Sequence, residues 1–127
     1  MLQAGDRVPH FDVTTLDGSR ATYSAIWQRK NLVLLVLPAP DAPDAHLPVP
    51  SFASRAPDLA DCDAVVIITA DRISGTIAPA ILIADRWGEI RFVDAPATIA
   101  GLPSVDTVVE RLRSVDHECP ECQGEVR

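Results

Sequence analysis

The chain has 127 residues, 47% of them hydrophobic and 23% charged, which fits one globular domain and excludes global disorder, collagen-like repeats and low-complexity sequence. Eleven basic side chains against eighteen acidic ones leave a net charge of −7, which opposes binding to nucleic acid or an anionic membrane, since both reward clustered cations. The longest apolar runs hold about six residues where a bilayer span needs about 20. The first residues carry Asp6 and Arg7 in place of an apolar secretion core, so the expected compartment is the cytoplasm.

In chain order, Asp17-Gly18 marks a tight turn between Val13-Thr14-Thr15-Leu16 and Arg20-Ala21-Thr22-Tyr23, which predicts a hairpin. Ser24 is placed to cap a short helical turn through residues 25–28. Leu32 to Leu37 is an unbroken apolar run bounded by Asn31 and Pro38, the pattern of a strand buried on both faces. Five of the eleven prolines then fall between Pro38 and Pro50, a stretch where no regular helix is expected. A helix is expected after Pro50, through Arg55, with Pro57 interrupting it. Ala64 to Thr69 predicts a second buried strand, central and parallel to the first. Pro79 leads into Ala80-Ile81-Leu82-Ile83-Ala84, and Asp85-Arg86-Trp87-Gly88 turns into Glu89-Ile90-Arg91-Phe92-Val93, a second hairpin. From Pro103 on, Val105, Val108, Val109, Leu112 and Val115 form one apolar stripe at the helical period, so a helix is expected over 103–115. Residues 116–127 follow as a tail.

This order of elements, together with three phrases, resembles the thioredoxin-like superfamily, in its redoxin branch of peroxiredoxins and thiol-specific antioxidants. The phrases are Gly5-Asp6-Arg7-Val8-Pro9-His10-Phe11 leading to Leu16-Asp17-Gly18, then Asn31 to Pro38, then Thr76 to Ile90 around Pro79. The resemblance implies an α/β thioredoxin-like fold over residues 1–115, with a mixed sheet of four or five strands flanked by helices, followed by a tail carrying Cys-x-x-Cys. It also implies an oxidoreductase acting on thiol or disulfide proteins or on peroxides, a nucleophilic cysteine just after the central strand, and a cis Pro79 lying against the active-site loop and helping to position substrate. Two departures stand out: the loop Pro38 to Leu47 contains no cysteine, and the connector between Thr69 and Pro79 is too short for the family's crossover helix.

A thiol peroxidase or disulfide exchanger works through a thiolate. In the loop after the first apolar strand, Asp41 and Asp44 have the wrong sign to favour one, and His46 is the only basic or nucleophilic side chain. His46 and Pro79 are the candidate substrate-binding residues; the plainer readings are a solvated loop histidine and a structural proline. Cys119-Pro120-Glu121-Cys122 is the sharpest local signal, because two intervening residues let both sulfurs meet in one disulfide or on one metal ion. Three readings stay open. Cys119 and Cys122 form a relocated redox centre needing no cofactor, although Glu118 and Glu121 oppose a thiolate. Alternatively they are half of a zinc site, with His117 as a third ligand and a homodimer completing it. Or the tail is a non-catalytic, partner-binding appendage on a module that kept the fold and lost the site. Cys62 reads as a packing residue, Trp27 and Trp87 as covers of the core or of a turn, and Asp85 and Glu89 as turn chemistry.

Overall fold

Strand β3, Asn31–Val36, is buried at every residue, and its side chains alternate between two separate cores. Leu32, Leu34 and Val36 point to one side of the sheet, where Val13, Tyr23, Ile26 and Ile67 meet them. Val33 and Leu35 point to the other, among Phe52, Leu59, Val108 and Leu112. A strand with no polar face has to be covered twice, and that requirement organises the fold. The structure is a computed structural model and describes residues 1–117, with side chains to Val115.

The main sheet has four strands in the order β4-β3-β5-β6, where β4 is Ala64–Thr69, β5 Ala80–Ala84 and β6 Ile90–Asp94. Strand β4 runs parallel to β3, and β5 antiparallel, with Val36 opposite Thr69 on one side and Ala80 on the other. The β5–β6 hairpin forms as expected around Gly88, whose φ of 89° suits glycine. A separate two-stranded hairpin, β1 (Asp12–Thr14) with β2 (Arg20–Thr22), pairs Val13 with Ala21 and turns at Gly18. This is the thioredoxin-like α/β arrangement, with a mixed sheet of four strands.

Four expectations need correction. Strand β4 is an edge strand and not a central one, and most of its side chains are only half-buried; a short apolar run looks the same at an edge as in the middle of a sheet. The α-helices cover only one face, since the other is closed by the N-terminal segment, the β1–β2 hairpin and Ile73 of the connector. The first helix, α1, starts at Pro48 and so includes two of the prolines expected to exclude it. They sit in its first turn, where a backbone N–H has no partner inside the helix anyway. Finally, the 3-10 turn spans Tyr23–Ala25 after Thr22 and lacks a side-chain cap from Ser24.

Helix α1, Pro48–Ala53, stops before α2, Ala56–Asp61, because the ring of Pro57 would clash with the carbonyl four residues earlier in a continuous helix. Helix α3, Val105–His117, starts where its apolar stripe starts, two residues later than the expected 103–115, after Ser104, whose hydroxyl accepts from the Thr107 N–H at 3.3 Å. Val108, Val109, Leu112 and Val115 are its buried face. Arg55 ties the start of α3 to the α1–α2 break through Asp106, and Arg113 approaches Asp58 of α2 at 3.6 Å. Arg111 bonds Asp94 of β6 at 2.7 Å and lies over the Phe92 ring. Among the described residues no helix is long and apolar enough to cross a membrane.

Leu112 is fully buried between α3 and the sheet. Leu112→Ala should therefore cost about 2–5 kcal/mol in urea unfolding. Arg113→Ala, which removes only a half-exposed ion pair, should cost less than about 1 kcal/mol.

Candidate functional site

The C-terminal end of β3 and the N-terminal end of β5 lie side by side, which brings Leu37 and Pro79 to the same pole of the sheet. The Ala78–Pro79 peptide bond is cis, as the resemblance implied. Pro79 is buried. The loop from Leu37 to Leu47 closes this pole by successive tight turns, in which the N–H groups of Ala45 and Leu47 donate to Ala42 and Asp44 at 3.0 and 3.1 Å. Leu37 and Ala45 are buried and pack with Ile99 and Leu102, so apolar side chains fill the corner. His46 is exposed and makes no hydrogen bond or ion pair with the described residues. The structure thus places Pro79 under cover and His46 in solvent, with nothing joining them.

The electrostatics of this corner oppose an anion. A helix start normally presents free N–H groups that favour a thiolate. Here α1 opens Pro48-Val49-Pro50, so two of its first three residues have no N–H to offer. Asp41 and Asp44 add negative charge to the same loop. The loop holds no sulfur, and the nearest element of sulfur chemistry in the described part, Cys62, is buried at the opposite pole beneath α2.

Cys119 and Cys122 lie outside the described residues, as does the His117 side chain. What is described is where the chain leaves α3. The helix passes the α1–α2 break at Asp106 and Asp58 at Arg113, and α2 itself leads down to Cys62, whose carbonyl accepts from the Asn31 side-chain amide at 2.9 Å. Asn31 opens β3, so α3 ends toward the pole where β3 begins, while Pro79 sits where β3 ends. Six strand residues separate the two poles, roughly 20 Å at about 3.3 Å per residue.

At the pole where β3 begins, the structure brings together side chains that the sequence did not connect. Tyr23 is buried, with the rings of Phe11 and His10 centred 5.4 and 5.9 Å away and the Trp27 ring set edge-on to His10 at 6.4 Å. The N–H groups of Arg7 and Trp27 donate to the Trp87 carbonyl, at 2.7 and 3.3 Å. A Cβ on Gly88 would stand 3.0 Å from the Tyr23 hydroxyl, so glycine is needed for this contact as well as for its φ. The Tyr23 hydroxyl and the Trp87 indole N–H are buried without a hydrogen-bond partner among the described residues. Burial, and then the Asp85 carboxylate, push the Tyr23 phenol up to about 12. Trp27 and Trp87 cap the β5–β6 turn, in keeping with the structural role expected of them. Their convergence with Tyr23 depends on long-range packing that no local motif announces.

No protein-family profile matches the sequence, and no curated protein does. Solved structures do. AhpC from Mycobacterium tuberculosis is 18% identical with a TM-score of 0.67, the match covering 95% of this chain and 98% of that one. Mycobacterium bovis AhpC is 16% identical with a TM-score of 0.69, covering 91% and 98%. The reduced 2-Cys peroxiredoxin of Plasmodium vivax is 13% identical with a TM-score of 0.67, covering 91% and 97%. The fold is therefore the thioredoxin-like fold in the form seen in peroxiredoxins. At these identities the likeness defines the fold and leaves the chemistry to the residues.

Since the Tyr23 hydroxyl is buried without a partner, Tyr23→Phe should leave thermal stability at neutral pH unchanged or raise it by up to about 1 kcal/mol. The raised phenol also sets a sign at high pH. The folded state holds its proton where the unfolded chain, at 10.0, has lost it, so wild-type stability should fall as pH climbs from 10 toward about 12. Tyr23→Phe should show a shallower decline over that window in pH-dependent unfolding.

Proposed function

We propose that this chain is a redoxin of the thiol-dependent oxidoreductase class, acting on disulfides or peroxides, whose sulfur chemistry resides in Cys119 and Cys122. One observation carries the reading: β3 and cis Pro79 frame the familiar corner, yet the loop between β3 and α1 holds no thiol. Cys62 is buried in the core. The Cys119–Cys122 pair is what remains to react. As a dithiol it would give up two electrons and two protons and become a disulfide. A disulfide substrate would accept them as two thiols, and a peroxide as an alcohol and water. Cys119 or Cys122 would attack as the thiolate, and the other thiol would close the bond.

A second reading, a non-catalytic binding module that kept the fold, is favoured by the filled corner, where Leu37, Ala45 and Ile99 occupy the space a reactive side chain would need. The two readings separate in one assay. Wild type should reduce insulin disulfides or consume peroxide above background, Cys119→Ser should fall to background, and His46→Ala should match wild type. Equal background rates for wild type and Cys119→Ser would leave the binding module as the better account.

A further inference from the structure

Strand β4 ends the sheet, and half of its outer edge is open. Backbone hydrogen bonds fix its phase. The Asn31 N–H donates to the Asp63 carbonyl at 2.9 Å and the Leu37 N–H to Thr69 at 2.8 Å, so the odd residues of this stretch turn toward β3. From outside, the Leu16 N–H donates to the Ile68 carbonyl at 3.0 Å, so Ala64, Val66 and Ile68 turn outward. Thr15 and Leu16 cover the Thr69 end. Ala64 and Val66 are left with two N–H groups and two carbonyls that have no partner among the described residues.

Natural sheet edges are usually blunted by charge, proline or a bulge. The other edge follows that practice: β6 carries Arg91 and Asp94, and Ile90 exchanges backbone bonds with Gly5 and Asp6 at 2.7 and 2.8 Å. Strand β4 reads Ala-Val-Val-Ile-Ile-Thr and has none of these devices. Its edge floors a groove of about 660 Å³ walled by Ala21 and Ile26 on one side and Phe52, Ala56 and Ala60 on the other. This is the recognition chemistry of an extended polypeptide: backbone groups at a two-residue spacing between apolar walls.

Charge decides which polypeptide. Asp17 lines the groove near the Ile68 end, and Asp61 precedes the Ala64 end, where Lys30 and Arg86 are both tied to Asp63 at 2.7 and 3.1 Å; Asp17 and Asp61 are exposed, with no ion-pair partner among the described residues. Hydrogen bonds from Thr15 and Ser19 hold the Asp17 carboxyl below the usual range, so its charge persists into acid. Arg20, which also borders the groove, is tied to Asp12. A second copy of this chain is a poor occupant. A two-fold axis at Val65 would use the open rungs of both copies but would turn Asp61 of each toward the Asp17 end of the other, between chains that each carry −7.

We propose that the open half of β4 accepts an extended segment of another protein, added as a strand onto Ala64 and Val66, apolar toward the groove and basic at both ends. The proposal uses no thiol and stands apart from the sulfur chemistry. The probe is the peptide Arg-Thr-Val-Thr-Val-Thr-Arg, with a twin ended by Glu. The basic-ended peptide should slow hydrogen exchange at the Ala64 and Val66 amides by about tenfold or more and leave Val65 and Ile67, already bonded to β3, unchanged. The Glu-ended twin should bind about tenfold more weakly at low salt, the gap closing at high salt. Val66→Pro removes one outward N–H without touching the β3 ladder and should abolish the protection. Asp61→Lys should shift preference toward the Glu-ended twin, and it decides the matter alone if Val66→Pro fails to fold. Unchanged exchange at Ala64 and Val66 with millimolar peptide would overturn the proposal. So would protection of both amides before any peptide is added: with a dimer in sedimentation this would assign the edge to a second copy, and with a monomer to another part of this chain.

Discussion

The double burial of β3 is the constraint on which everything else depends. A strand apolar at each position has no face to give to water, so two independent cores have to be built against it. One core recruits the helices, through Leu59, Val108 and Leu112. The other recruits segments with little regular structure of their own, through Val8, Val13, Tyr23 and Ile73. Asn31, the one polar residue of the strand, is held by its side-chain bond to the Cys62 carbonyl, which fastens the start of β3 to the end of α2. With β3 fixed, its register places Pro79 at one pole, and the packing of α3 along α2 points the end of that helix toward the other.

The short connector between β4 and β5 accounts for most of what is unusual. Ten residues, 70–79, lead from the end of β4 around to β5 on the far side of β3 without forming a helix or a strand. The face they cross is therefore closed by loops and the β1–β2 hairpin. An apolar strand is left at the margin of the sheet. The half-burial of β4, the unpaired groups at Ala64 and Val66 and the groove beside them all follow from its place at the edge of the sheet.

Legibility followed the range of the interaction. Patterns settled within a few residues were readable: the Asp17-Gly18 and Trp87-Gly88 turns, the runs of β3 and β5, the stripe of α3 and the break at Pro57. Order across the sheet was not, because a run such as Ala64 to Ile68 satisfies either a central or an edge position, and only long-range pairing separates the two. Pro48 and Pro50 misled, because proline breaks a helix interior yet is tolerated in a first turn. The cis Pro79 was legible through resemblance alone. The grouping of Tyr23, Trp27 and Gly88 was hidden because it joins residues more than sixty positions apart through packing, with no spacing rule to reveal it.

A thiol grafted into the loop between β3 and α1 would not by its position alone become reactive. A cysteine at Ala45 would sit among Leu37, Ile99 and Leu102, where burial penalises the charged form. One placed further out, at Pro43, would stand between Asp41 and Ala42 on one side and Asp44 on the other, with like charge close by. The neighbouring helix start has lost the N–H groups of Pro48 and Pro50. A reactive thiolate needs stabilising positive potential more than it needs a position in a fold, and in this corner two carboxylates and a helix start short of N–H groups work against one. The corner beside Pro79 therefore shares its place in the fold with the resembled family's site while its own residues, two carboxylates and a proline-rich helix start, disfavour a thiolate.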